Sequence, residues 1–373
     1  MAPGRIELLG NHLDYNGGPV LAAAIDRYVV VVRGDGDASI GLIAADVIGA
    51  TTESLDPTTL RDWRNPSSPP GPADYARGAI AAMLARYDVG LMAPSTLAIA
   101  GDVPIGFGLS SSAALCVAFS LALTKEAPPA RNLVLIAQEA EHRAGTPCGT
   151  MDQSASVAGG VIRFDGATLG VERLAPDLAG LVFAVADSGV ERHLATSAYP
   201  TRVAEGQQAT LRLRALLGVA LPHLAALTPE EWTSADRRGG LPDLLARRVR
   251  HVVSETQRVA AGADALAAGD WERFGALMTA SGRSSATDYD ISHPRVEEMV
   301  SEALEVDGVL GARMMGGGEG GTVLMLLARD AVSLVERRLR AGYYRRYGME
   351  HRRDLIHVCA FTDGARVEPI GAA

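Results

Sequence analysis

The stretch Val103–Leu115, VPIGFGLSSSAAL, decides how the chain is read. Gly106 and Gly108 let the backbone bend closely around a ligand. Ser110, Ser111 and Ser112 then stand where a helix begins, and the Ala/Leu run continues that helix. Free N–H groups and the positive end of the helix dipole converge on this spot, which suits a phosphate. The same residues also fit an ordinary serine N-cap after a glycine loop. The loop is not a P-loop of the G-x-x-x-x-G-K-[ST] kind. The chain has a single lysine, Lys125, and it lies at a helix end beside EAPP. The H-R-D and D-F-G sequences of protein kinases are missing too. A nucleoside triphosphate bound here would rest on backbone amides and the helix dipole, with arginine assisting.

Three other clusters accompany the loop. Gly10–Gly18, GNHLDYNGG, gathers Asn11, His12, Asp14 and Tyr15 ahead of two glycines, a density of short hydrogen-bonding groups that fits a sugar. Ala140–Gln153, AEHRAGTPCGTMDQ, carries Glu141 late on a helix and Asp152 after a Gly/Pro-rich loop. Two carboxylates near a phosphate loop suit one for Mg2+ and one facing an acceptor hydroxyl. Taken singly, they also read as a solvated helix residue and a helix cap. Met314–Gly321, MMGGGEGG, implies either close backbone approach or a flexible turn between strands.

Bulk properties narrow the field. With 373 residues, 47% of them hydrophobic, the chain has room for two domains with substantial cores. Its net charge of -9 argues against a nucleic-acid surface. Cys116, Cys148 and Cys359 form neither a disulfide framework nor a zinc pattern, as expected for a reducing compartment. No apolar run approaches the ~20 residues of a membrane helix, and the N-terminus has no signal architecture. The expectation is a cytoplasmic protein with no membrane or nucleic-acid partner.

The pattern of elements is α+β. IELLG predicts a strand, and RYVVVVRGDGDASIGLIAAD predicts a hairpin turning at Gly34–Gly36. Helices are expected over 73–87, 111–125 and 130–144, and a hairpin over GGVIRFDGATLGVERL. The pattern restarts with the strand LVFAVADSG, followed by helices near 198–217, 243–268, 270–284, 294–306 and 331–342. Two strands flank the MMGGGEGG loop, and DLIHVCAFTD predicts the last strand. The boundary falls near 175–185, giving domains 1–180 and 181–373.

Four stretches in this order, APGRIELLGNHLDYNGG, VPIGFGLSSSAAL, PCGTMDQ and MMGGGEGG, resemble the GHMP small-molecule kinases in their galactokinase branch. Additional similarity in VERHLATSAYPTR, RRVRHVVSE, DYDISHP and HVCAFTDGARV extends the resemblance over nearly the whole chain. It implies an S5-like N-terminal domain and a ferredoxin-like C-terminal domain with a cleft between them. It also implies ATP-dependent phosphorylation of a sugar, galactose first, at its anomeric hydroxyl, by a monomer or weak dimer.

Carried over by motif, Asp152 is the catalytic aspartate and Arg5 the arginine beside it. Asn11, His12, Asp14, Gly149 and Tyr199 would meet the sugar. Gly106, Gly108, Leu109, Ser110, Ser111, Ser112 and Ala113 would wrap the ATP phosphates, with Tyr75 and Arg192 near the nucleotide. Ser112 and Glu141 would hold Mg2+.

The chain departs from the family's pattern at several points. Asn11 stands where the pattern has Glu, and a neutral amide accepts more weakly than a carboxylate. The expected loss of galactose affinity is about tenfold. The exchange also opens galacturonate, N-acetylgalactosamine or arabinose as acceptors; independently of it, a catalytically silent sugar or nucleotide sensor on this scaffold is a third reading. The Glu141–Asp152 segment is one residue shorter than the pattern, and Glu319 replaces an aromatic in the last glycine loop. The chain starts at MAPGR, without the segment that normally precedes this motif in the family, which reads either as a truncated first strand or as a misassigned start.

Overall fold

The computed structural model describes residues 1–36, 40–44, 53–87, 95–124, 126–191 and 198–369. The strands sort into two sheets. The first holds β1 (Ala2–Leu9), β2 (Pro19–Asp35), β3 (Ile40–Ala44), β4 (Glu53–Leu55), β5 (Ser95–Gly101), β6 (Val161–Asp165) and β7 (Gly170–Leu174), in the order β4-β3-β5-β2-β6-β7 with β1 against β2. The second is antiparallel, with β8 (Leu181–Asp187), β9 (Val309–Met315), β10 (Thr322–Ala328) and β11 (Ile356–Cys359) in the order β11-β8-β10-β9. This is the expected α+β, two-domain plan.

One expected pairing is corrected. β2 and β3 do not form a hairpin. β5 lies between them, antiparallel to β2 over Val29–Asp35 and parallel to β3. Gly34 and Asp35 remain in the ladder, opposite Thr96 and Ser95. Gly36 serves close approach instead, since a Cβ there would come within 2.7 Å of the Ser95 backbone. Alternating apolar residues determine which face of a strand is buried, but they do not choose its neighbour.

Helices α2 (Ser111–Leu123) and α4 (Met151–Ala158) pack against the first sheet, while α1 (Pro72–Leu84) and α3 (Ala130–Arg143) pack on α2 and on each other. α2 is apolar almost all round and therefore sits in the interior, touching α1, α3, α4, β1 and β2. This holds its N-terminus and the preceding glycine loop in a fixed place. α4 was not anticipated, because eight residues rich in Ser and Ala show too little periodicity.

The second half supplies α5 (Tyr199–Leu217), α6 (Pro229–Arg237), α7 (Asp243–Ala268), α8 (Trp271–Thr287), α9 (Pro294–Leu304) and α10 (Val332–Leu339). α8 and α9 pack against β9, while α7 lies against α8 and reaches β1 and β2. After β11 the chain returns to the first sheet through the bridges Ile25–Phe361 and Gly159–Asp363. One apolar cluster runs through both halves.

Candidate active site

β1 delivers Arg5 to the start of α4. Arg5 Nε donates to Asp152 Oδ1 at 2.7 Å, and its Nη2 lies 2.7 Å from the same oxygen. Its Nη1 donates to the Gly108 carbonyl at 2.6 Å, and its backbone N–H to the Leu109 carbonyl at 3.0 Å. One guanidinium therefore ties the carboxylate to the glycine loop. The Arg5 side chain is 6% exposed, while that of Asp152 keeps 25%. Asp152 lies in the first turn of α4, where the helix dipole favours a negative group.

The glycine loop has the geometry of a cradle. Gly106 and Gly108 take φ of 86° and 67°, and Ser110 shares the left-handed region at 58°. A non-glycine residue in that region stores strain, which gathers at functional positions. Ser110 does not cap α2. Its hydroxyl donates to Asp152 Oδ2, and the helix start has no side-chain cap. The first amides of α2 are left available for an anion. Leu109 and Ala113 have buried side chains, so they offer only backbone to a ligand, while Ser111 is partly exposed. Thr322 on β10 donates to the Phe107 carbonyl at 2.8 Å and fastens the loop to the second half.

Ser112 turns to Glu141, donating to Oε1 at 2.7 Å, and Gln153 donates to Oε2. Glu141 is 2% exposed. Burial pushes its carboxyl up to about 7, with the charge of Asp152 adding to the rise and the bonds from Ser112 and Gln153 opposing it. Such an oxygen-only pair, Glu141 buried and Ser112 half-buried, fits a hard cation that takes its remaining ligands from phosphate and water. Among the described residues no cluster of three or more His, Cys, Asp or Glu forms a site built by protein alone. Tyr75, on α1, bonds Thr146 Oγ1 at 3.0 Å, and Glu141 and Cys148 are among the groups whose charge acts on its phenol.

The sugar-loop residues gather on the other side of Asp152. Asp14 presses against Gly149, where an added Cβ would stand 1.7 Å from Asp14 Oδ2. Burial, and then the charge of Asp152, push the Asp14 carboxyl up to about 7. The rings of His12 and Tyr199 lie 5.4 Å apart, those of Tyr15 and Tyr199 5.1 Å, and those of His12 and Tyr289 5.3 Å. His12 Nδ1 pairs with the Tyr15 hydroxyl at 2.7 Å, which meets Tyr289 at 2.9 Å. Tyr15 belongs to the loop whose polar groups fit a sugar, whereas Tyr289, in DYDISHP, carries no role in the sequence reading.

Asn11 is engaged by other partners. Its side chain is fully buried, with Nδ2 donating to Glu7 Oε1 at 3.0 Å and the Gly316 carbonyl at 2.9 Å. Its Oδ1 accepts from Ser285 at 3.1 Å. The expectation that its amide meets the sugar is corrected, because protein partners already occupy both ends of the amide. The MMGGGEGG loop is accordingly a place of close approach, with Gly316 as one acceptor. Glu319 accepts from the Ala198 N–H at 2.9 Å. Arg192 lies outside the described residues.

A two-domain fold carrying an anion-cradling helix start and an acid–guanidinium couple beside a polar loop defines a small-molecule kinase of the GHMP class. Residues 74–160 match the GHMP kinases N terminal domain, 263–345 the GHMP kinases C terminal domain, and 1–34 the galactokinase galactose-binding signature. The chain belongs to the galactokinase family: it is 36% identical to the galactokinase of Roseiflexus sp. (strain RS-1), over 97% of this chain and 91% of that one. It is 33% identical to the Homo sapiens galactokinase, over 92% and 86% of the two chains. Among solved structures it superposes on the Lactococcus lactis galactokinase complexed with galactose, with a TM-score of 0.85 at 27% identity, covering 97% and 93% of the chains.

Proposed function

We propose that this enzyme transfers the terminal phosphoryl group of ATP to the anomeric hydroxyl of galactose. The carrying observation is that Asp152 is held by Arg5 on one oxygen and by Ser110 of the anion-cradling loop on the other. A hydroxyl placed beside Asp152 Oδ2 is thereby next to both the sugar loop and the loop amides. Its O–H proton passes to Asp152 as its oxygen forms a bond to the terminal phosphorus. The bond from that phosphorus to the bridging oxygen breaks, and ADP leaves with the electron pair.

Positioning and charge stabilisation do most of the work in phosphoryl transfer. Arg5 and the free amides of α2 supply both here. His12, Asp14 and Tyr199 orient the sugar, with Gly149 giving Asp14 its room. Mg2+, held by Ser112 and Glu141 together with the phosphates, would neutralise charge on the transferring group. The cleft lies between proposed domains 1–180 and 181–373, and Tyr199 and Tyr289 come from the second.

The sequence of Asn11 had opened other acceptors, but its buried amide gives no support to them. The test is ADP release with ATP and Mg2+ across galactose, glucose, N-acetylgalactosamine, galacturonate and arabinose. Galactose is expected to have the highest kcat/KM. Turnover confined to another sugar refutes the substrate assignment, and no turnover with any of them favours the sensor.

A further inference from the structure

Glu7 is a charged residue in the middle of β1 that the proposed chemistry leaves unused. β1 pairs with β2 without a shift between Arg5 (opposite Ala24) and Glu7 (opposite Ala22), so both side chains leave the strand on one face. Arg5 ends on Asp152. Glu7 ends between two donors, with Oε1 accepting from Arg313 Nη2 at 2.6 Å and from Asn11 Nδ2 at 3.0 Å. Arg313 is itself fully buried and also donates to the Glu7 carbonyl at 2.7 Å. These contacts fix the carboxylate from both halves of the molecule.

Glu7 Oε2 accepts no hydrogen bond from any described residue, although Glu7 as a whole is only 5% exposed. Oε2 is not among the fully buried side-chain atoms that lack a partner, so it stays open to a donor from outside the described residues. The charge of Glu7 is also close enough to act on Asp14 in the sugar loop. The Glu7 carboxylate is therefore near Asp14 and on the same face of β1 as Arg5.

The geometry points to Glu7 as a specificity-determining residue whose Oε2 accepts a hydrogen bond from one sugar hydroxyl, while Asn11 and Arg313 hold Oε1. This rests on the sugar-kinase reading above. It assigns the charged acceptor of the sugar loop to β1 rather than to position 11. A site built to bond a hydroxyl rejects an analogue lacking it, because the buried acceptor is then left without a partner.

The experiment measures kcat/KM for galactose and its 2-, 3-, 4- and 6-deoxy analogues in the wild type, Glu7→Gln and Glu7→Asp. In the wild type, one of the 2-, 3-, 4- and 6-deoxy sugars is expected to be rejected through its missing bond to Glu7. Glu7→Gln should raise the galactose KM at least tenfold, leave the ATP KM within twofold, and remove the discrimination against that one analogue. Glu7→Asp keeps a charge beside Arg313 and serves if the glutamine variant does not fold. It should weaken the same discrimination at least fivefold and leave the other three unchanged. Discrimination against every analogue that persists undiminished in the folded variants overturns the assignment. So does a parallel rise in both KM values, which marks a structural role. Absence of galactose turnover in the wild type overturns the sugar-kinase reading as well, and is distinguishable on that ground.

Discussion

Ser110 donates its hydroxyl to Asp152 and leaves the α2 start without a side-chain cap. The residue that precedes α2 is thus coupled to the carboxylate proposed to face the sugar.

Replacing Ser110 separates the two roles a serine can have there. Loss of a genuine N-cap costs about 1 kcal/mol. Ser110→Ala is expected to lower kcat about tenfold while unfolding at nearly the wild-type temperature. Ser110→Gly removes the penalty of a left-handed L residue, about 1–2 kcal/mol, so it should be as inactive as the alanine variant but more stable. Thermal melts with steady-state rates check both. An alanine variant with full activity and a lowered Tm would return Ser110 to a capping role.

Gly149 is where the sugar loop meets the α4 segment. A methyl group at this position collides with Asp14 Oδ2, so Asp14 must swing out of its place. Gly149→Ala is expected to raise the galactose KM at least tenfold with little change in the ATP KM. Unchanged sugar affinity would show that Asp14 does not bind galactose.

Two raised carboxyls give the ligand-free protein a distinctive pH response. Folding pushes the Asp14 and Glu141 carboxyls up to about 7, against 3.8 and 4.5 for the free side chains. Below these lower values both are protonated in either state. As pH rises from there to about 7, the unfolded chain releases protons that the folded chain retains, so stability falls across this window and then levels off. Tm followed from pH 4 to 8 should therefore decline, and Glu141→Gln should flatten the decline. A decline of the same size in Glu141→Gln would remove Glu141 as its cause.

Glu255 behaves in the opposite way. Burial alone would raise its carboxyl, but Arg258, His251, Arg313 and the Ser281 hydroxyl outweigh it and hold it at about 2. It accepts from the Gly10 N–H at 2.8 Å, from Ser281 at 2.7 Å and from Arg258 Nε at 2.6 Å. Its contribution to stability is present above about pH 4.5 and is lost as pH falls toward 2. Breaking a buried ion pair costs about 3–5 kcal/mol. Glu255→Gln is therefore expected to lower stability by a few kcal/mol in denaturant titrations at pH 7, and a loss below 1 kcal/mol would contradict this.

Much of the site was legible because its chemistry is local in sequence. The glycine–serine loop, the PCGTMDQ segment and the NHLDYN loop each announce themselves within a dozen residues, and the long helices α5, α7 and α8 by their periodicity. The rest depended on non-local contacts. Residues 29–35 of β2 read as a hairpin arm because an apolar run ends at Gly34–Asp35–Gly36, yet β5, far along the chain at 95–101, takes the place beside them. Asn11 reads as a sugar ligand until Glu7, Ser285 and Gly316 are seen to occupy its amide. α6 did leave a signal: Thr228 and Glu231 form a capping box with Pro229 between them, but its nine residues are too few for a clear apolar stripe.

The most direct test of the central claim is single-turnover phosphoryl transfer by Asp152→Asn with ATP, Mg2+ and galactose, alongside equilibrium binding of each substrate. The variant should bind both substrates within a few-fold of the wild type and transfer the phosphoryl group slower by about 10²–10⁴-fold. Transfer within threefold of the wild-type rate would contradict a role for the Asp152–Arg5 couple in the chemical step.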